Sequence, residues 1–235
     1  MGHGVEVLRI LRERRGELKP VLPFDPERMP PVIFDLSAHG QALAGLDLND
    51  VDAFSRRVFD ELRRRRSPWG IGRYAEDRLL YRHRSLFSGE GEARSVHMGI
   101  DLFAAPGTRV STPLAAEVHS FAFNDTPGDY GPTIILRHLS EGVDFFTLYG
   151  HLSRASLDGL APGRRFAAGD VIARIGGSEE NGGWPPHLHF QLVSDMGRRK
   201  GDFPGVVAPS QLETYRLLCP DPNLILRIPE LDARP

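Results

Sequence analysis

Between Val96 and Val193 the chain runs in short apolar stretches separated by turns rich in glycine and proline. That pattern predicts a mainly β fold, antiparallel and of sandwich type. Ahead of it, two stretches carry apolar residues at helical spacing and predict an α-helical N-terminal extension. The expected organisation is therefore a helical and extended region over 1–90, a β domain over 91–200 and a C-terminal tail over 201–235 that wraps the domain. At 235 residues the chain is long enough to bury a substantial core.

The first element is a helix near the N-terminus, where Val5, Leu8 and Leu11 form an amphipathic stripe. Charges interrupt its apolar residues, so it does not read as a secretory signal, and a cytoplasmic location is expected. The segment K-P-V-L-P-F-D-P-E-R-M-P-P is proline-dense and should be extended. Phe24 and Pro30 are expected to pack along the β domain, and the alternative is that this segment occludes a cleft. A second helix follows, capped by Asp50 or Asn49, with Val51, Phe54, Val58 and Leu62 facing a core. It ends in Arg63 to Arg66, read as a cationic last turn that complements the helix dipole rather than as an anion site.

From residue 70 to 95 the chain is transitional, with Trp69, Tyr74, Leu79, Leu80 and Tyr81 as apolar anchors and Ser88 to Glu92 as a loop. Arg73 and Arg82 either orient an anionic group or, as is more usual, join structural ion pairs. In the tail a short helix is expected around Ser210 to Leu218. Cys219 is the only cysteine, which excludes an internal disulfide, fits a reducing compartment and reads as a small buried hydrophobe. The 29 Lys+Arg residues are balanced by 31 Asp+Glu, which argues against a nucleic-acid partner. No stretch reads as a membrane span, and the oligomeric state is left open.

Three short strings carry the chemistry: H-M-G-I-D from His97 to Asp101, L-Y-G-H-L containing His151, and P-P-H-L-H-F containing His187 and His189. Four imidazoles and a carboxylate are the donors that a catalytic metal such as zinc takes, with one position left open. On a strand, residues two apart share a face, so His187, His189, Gln191 and Val193 point one way and Leu188, Phe190 and Leu192 the other. His97, Gly99 and Asp101 have the same parity, and Gly99, lacking a Cβ, leaves room for a metal or another segment. Each string alone is weak, and their joint occurrence carries the inference. Of the other histidines, His138 is placed at a cleft edge at most. His119 is read as a strand-surface residue, and His3, His39 and His83 as structural.

With these strings in place, the stretch from Val96 to about Val193 resembles the lysostaphin-type, or β-lytic, zinc metallopeptidases, most of which cut peptide bonds in bacterial peptidoglycan. The likeness extends to A-P-G-T-R-V-S-T-P-L-A-A-E-V, to G-D-Y-G-P-T-I-I-L-R-H and to the paired glycine turns of L-A-P-G-R-R-F-A-A-G-D-V-I-A-R-I-G. The resemblance implies a β-sandwich-like duplicated hybrid motif domain. It implies a zinc ion held by His97, Asp101 and His189, with His151 and His187 acting on the water and the developing oxyanion. It implies hydrolysis of amide bonds in a peptide or peptidoglycan fragment. The family usually has glycine before the H-x-H and often glutamate two residues after it, where this chain has Pro186 and Gln191. These departures bear on the substrate, a glycine-rich cross-bridge above all, and not on the metal. The strings N-G-G-W-P-P-H-L-H-F and C-P-D-P-N-L-I-L also resemble an intracellular branch whose members can be fused to kinase-like and aminotransferase-like domains.

Two other classes compete. One is a non-catalytic metal- or peptide-binding module of the same fold with a regulatory role, against which the retention of all five residues argues. The other is a lipoyl-type carrier, against which the lack of lysine between Val96 and Val193 argues. Trp184, Pro185 and Pro186 should form a stiff wall of the groove, because the prolines restrict the backbone just before the histidine strand.

Overall fold

A run of seven buried residues, His187–Val193, forms a strand at the centre of the molecule, and the fold is organised around it. The computed structural model describes residues 2–37, 39–47, 50–82, 85–87 and 91–232, without the side chains of Gln41, Leu79, Arg82 and Ser85. Asn49, His83 and part of the expected loop from Ser88 lie outside the described residues, as do the side chains of Leu79 and Arg82.

The strands, in chain order, begin with β1 (Val32–Phe34), β2 (Gly70–Gly72), β3 (Glu76–Asp77), β4 (Val96–His97), β5 (Ile100–Phe103) and β6 (Arg109–Ser111). They continue with β7 (Ala116–Asn124), β8 (Gly131–Ser140), β9 (Val143–Gly150), β10 (Arg165–Phe166), β11 (Val171–Arg174), β12 (His187–Val193) and β13 (Val206–Val207). Eight of them form one sheet in the order β1-β2-β5-β12-β9-β8-β7-β10. Its pairings are antiparallel except for β1 with β2 at one edge. A three-stranded sheet β13-β4-β3 and a two-stranded sheet β11-β6 complete the β structure. The N-terminal extension therefore contributes strands as well as helices.

Parity decides what each face of the large sheet buries. Leu188, Phe190 and Leu192 are fully buried in a cluster with Ile100, Leu102, Ile134, Leu136 and Tyr149. Helix α1 (His3–Glu13) packs Val7 and Leu11 into the same cluster. Its buried face is Val7, Ile10 and Leu11, not the expected Val5, Leu8 and Leu11, and Val5 is half exposed. The i, i+3, i+4 triple at 7, 10 and 11 makes the tighter stripe.

On the histidine side, a second cluster joins Phe34, Leu36, Phe54, Val58, Leu62, Leu80, Tyr81 and Phe87 to Phe103 and Trp184. Its helix, α2 (Val51–Arg65), is capped by Asp50, whose carboxylate accepts from the Ala53 N–H at 2.8 Å. Arg63, Arg64 and Arg65 pair with Asp60 and Glu61 of the same helix, so the run is a solvated, ion-paired last turn. The tail helix spans Leu212–Leu218, and Cys219 beyond it is fully buried, with burial pushing its thiol up to about 12. In the proline-dense segment, Phe24 stacks on Trp69 at 5.7 Å. Among the described residues no helix is long and apolar enough to cross a membrane.

His138 is a structural histidine on β8. It is buried, with Nδ1 3.1 Å from the Ala115 carbonyl and Nε2 2.8 Å from the Thr147 hydroxyl. Burial pushes its pKa down from 6.5 to about 4. The folded value lies below the unfolded one, so the stability that the neutral ring allows is whole above pH 6.5 and is lost as pH falls toward 4. That loss is on the order of 3 kcal/mol for His138. Urea unfolding of His138→Gln should therefore show a shallower fall in stability across this pH window than the parent chain, and an identical slope would contradict the assignment.

Candidate metal centre

Register brings the candidate residues together. On β12, His189 lies opposite Asp101 of β5 on one side and Gly150 of β9 on the other. Equal parity of His97 and Asp101 predicts one strand, but the chain breaks between them. His97 ends β4 in the three-stranded sheet, and Asp101 lies in β5 of the large sheet. The break at Met98-Gly99 turns both side chains into one space. A Cβ at Gly99 would lie 2.6 Å from the His189 ring, so glycine is required there for close approach, in line with its reading from the sequence.

Three donor atoms converge. His97 Nε2 is 2.9 Å from His189 Nδ1 and 3.1 Å from Asp101 Oδ1, and His189 Nδ1 is 3.3 Å from the same oxygen. All three residues are buried. Donors around a tetrahedral ion with bonds of about 2.0–2.1 Å lie roughly 3.3 Å apart, which these separations match.

The outward hydrogen bonds settle which nitrogens carry protons. His97 Nδ1 lies 3.2 Å from the Arg73 carbonyl, and an oxygen of that kind only accepts, so the proton is on Nδ1. His189 Nε2 donates to Gln191 Oε1 at 2.9 Å, while the Gln191 amide donates to the Pro204 carbonyl, which fixes the amide's orientation. The inward atoms, His97 Nε2 and His189 Nδ1, then both present lone pairs. Two lone pairs and a carboxylate oxygen facing one point repel unless a cation lies between them. Asp101 Oδ1 is buried and accepts no hydrogen bond from any described residue, which completes the fit to a metal.

His151 and His187 lie beside this cluster, their rings 4.2 Å apart. His187 Nδ1 donates to the Pro185 carbonyl at 2.6 Å and His151 Nδ1 to the Asn181 carbonyl at 2.7 Å, leaving each Nε2 free to accept a proton. His187 Nε2 is 3.6 Å from Asp101 Oδ1. His151 holds a left-handed backbone, with φ 61°. Its own N–H bonds the Tyr130 carbonyl at 2.7 Å and its carbonyl takes the Gly176 N–H at 3.0 Å, so the surroundings pin a conformation that disfavours a side chain.

Burial drives the electrostatics. It pushes His97 down to about 3, helped by the positive Arg78, and lowers His151 and His187 as well. Burial alone would raise the Asp101 carboxyl, but the neighbouring imidazoles and the Arg78 guanidinium outweigh it and hold Asp101 well below its ordinary value. The site thus sets one carboxylate among the rings of His97, His151 and His187, which burial keeps neutral.

Arg78 is the residue that the sequence reading missed. It is 1% exposed and its guanidinium bonds Asp101 Oδ2 at 2.5 Å, Glu76 at 2.8 Å, the Tyr81 hydroxyl at 3.0 Å and the Arg73 carbonyl at 3.2 Å. The expected candidates, Arg73 and Arg82, flank it. Arg73 contributes its carbonyl while its side chain is exposed. The local signal was E-D-R within a run of apolar anchors, a buried ion pair that only its distant partner Asp101 explains.

All five candidate residues line one cavity of about 170 Å³, with Trp184 and Pro185 in its wall. Pro186, expected beside them, is buried but does not line it. His138 and His119 are not among the lining residues.

Residues 95–200, somewhat under half of the chain, match the model of Peptidase family M23, which supports a domain of that lysostaphin-type family there. No curated protein matches the chain. Among solved structures, the catalytic domain of the antimicrobial peptidase lysostaphin from Staphylococcus simulans is 25% identical over 51% of this chain and 80% of that one, with a TM-score of 0.36. Full lysostaphin is 26% identical over 52% of this chain and 45% of its own, with a TM-score of 0.34. A zinc-containing peptidase from Vibrio cholerae is 26% identical over 42% of this chain and 27% of that one, with a TM-score of 0.33.

Arg78→Met removes the only cation that the structure places on both Asp101 and Glu76 among the described residues. Two buried carboxylates then lose their shared guanidinium, and the metal-free protein should lose about 3–5 kcal/mol of stability. Denaturant titration measures this; Arg78→Lys should recover part of it, and an unchanged midpoint in Arg78→Met would show the pairing to be inert.

Proposed function

We propose that this chain is a zinc-dependent peptidase that hydrolyses amide bonds, with His97, Asp101 and His189 as the metal ligands. The observation that carries the reading is the convergence of three inward donor atoms, two of them imidazole nitrogens whose protons are committed outward. Two nitrogens and one oxygen are a donor set that catalytic zinc takes. The match of residues 95–200 to a peptidase family supports hydrolysis as the reaction.

The chemistry a bound zinc supplies is Lewis-acid polarisation of a carbonyl and a lowered pKa for water. The chain's own residues handle the protons. His151 and His187 each keep Nε2 unprotonated by donating Nδ1–H to a backbone carbonyl, so one can accept a proton from water and later deliver it to the leaving amine. The other, donating from Nε2 once protonated, stabilises negative charge on the former carbonyl oxygen. Asp101 supplies the negative charge that favours both a cation and a transiently protonated imidazole. Trp184 and Pro185 restrict water at the groove wall.

As substrate we propose a peptide, of the kind found in peptidoglycan or a related short chain. A purely binding module is the weaker reading, because it would have no use for two further buried histidines poised as bases beside the cluster.

Elemental analysis and peptide hydrolysis, run side by side on two variants, test the assignment. His189→Ala should lose both bound zinc and activity. His151→Ala should keep zinc and lose about 10²–10⁴-fold in rate. Equal zinc loss in both variants would place His151 in the coordination shell, and full activity of His151→Ala would remove it from the mechanism.

A further inference from the structure

The apolar half of the cavity is built by chain ahead of the residues that match the peptidase family. Leu36, Phe54, Leu80, Tyr81 and Phe87 line it together with Trp184. These side chains belong to one buried cluster, so the wall is packed and not a loose flap. It stands directly against the histidines. The Tyr81 ring stacks on His97 at 6.2 Å and meets Trp184 edge-on at 6.0 Å. Trp184 in turn lies 6.2 Å from His151. On the other side, Phe54 packs on Phe103 at 6.4 Å, and Phe103 lies 5.1 Å from His187.

Resting on the reading of this site as a zinc peptidase, we propose that the N-terminal extension makes a pocket for a side chain beside the metal centre, and that the substrate is a short peptide with one large apolar or aromatic residue next to the scissile bond. The volume and the lining both favour this occupant. A dry apolar cavity of roughly 150 Å³ admits a benzene ring, and the whole cavity, shared between this apolar wall and the polar residues of the metal site, measures about 170 Å³, so one side chain of that size is the most it takes. A glycine at that position would leave water against Leu36, Phe54 and Leu80, forfeiting the gain from apolar burial. A leucine or phenylalanine would displace that water within a ring's reach of the histidines. The extension thus selects against glycine-rich substrates by offering them an apolar space that they do not fill.

The test uses the full chain loaded with zinc and a set of blocked alanine pentapeptides with one central variable residue: glycine, alanine, leucine or phenylalanine. Cleavage sites are read by mass spectrometry, and kcat/KM is compared across the set. Leucine or phenylalanine next to the cut bond should be preferred over glycine by about 10–200-fold. Phe54→Trp, which fills the pocket, should shrink that ratio while zinc stoichiometry is retained; Leu80→Phe is the second filling variant should the first not fold. Equal rates, a preference for glycine, or a ratio unmoved in a folded filling variant would overturn the pocket. A zinc-loaded chain that cuts none of the peptides counts against the peptidase reading, and binding then decides the pocket alone. In a Trp69→Phe background, which leaves Trp184 as the single tryptophan, acetyl-phenylalanine amide should change the fluorescence where acetyl-glycine amide does not, and equal responses would overturn the proposal independently of catalysis.

Discussion

The antiparallel registers of β12 with β5 and with β9 are the constraint from which the site follows. They set His189 opposite Asp101 and beside the strand that leads into His151. A slip of one residue would send His187, His189 and Gln191 to the apolar face and Leu188, Phe190 and Leu192 into the cavity. That exchange would bury three polar side chains among Ile100, Leu102 and Tyr149, where nothing pairs with them, so the apolar cluster enforces the register that aims the histidines.

With the register set, the cost of burying a polar cluster is met by assigned partners. Each of the four histidines gives its outward proton to a fixed acceptor: the carbonyls of Arg73, Asn181 and Pro185, or the Gln191 amide oxygen. Gln191 stands where the resembling family often has glutamate, and here a neutral acceptor performs the orienting task. Asp101 is stabilised on one oxygen by Arg78 and left bare on the other. The bare oxygen and the two inward lone pairs concentrate negative potential at one point, which suits a cation.

Arg78 also ties the extension to the β domain. It lies ahead of the stretch that matches the peptidase family, yet it reaches the carboxylate at the centre of the site. Glu76, on the same guanidinium, accepts from the Leu36 N–H at 3.0 Å, so one buried network links β1's continuation, the site and the cavity wall. Burial raises the Glu76 carboxyl despite Arg78, whereas Asp101, on the same guanidinium and ringed by imidazoles, is held low. The extension is therefore coupled to the candidate metal centre electrostatically as well as by packing.

Much of this was legible in the residues, because its causes are local. Period-two alternation announces β12, an acidic cap followed by an apolar stripe announces α2, and glycine at 99 marks a close approach. Each reading needs only neighbours within a turn or a strand. The stripe of α1 was misplaced by two residues at its first two positions because Val5 and Val7 fit a helical period almost equally, and only the sheet beneath selects Val7. The break between His97 and Asp101 escaped parity because two separate sheets claim the two ends. Arg78 and the wall of Leu36, Phe54 and Leu80 escaped altogether, since their meaning lies in contacts across long separations in the chain. The sequence by itself determined which donors were available and which face each strand presents, since those follow from residue type and backbone period. Tertiary structure alone decided which atoms converge, which tautomers they hold and what shape of side chain fits beside them, because burial and hydrogen bonding between distant segments set all three.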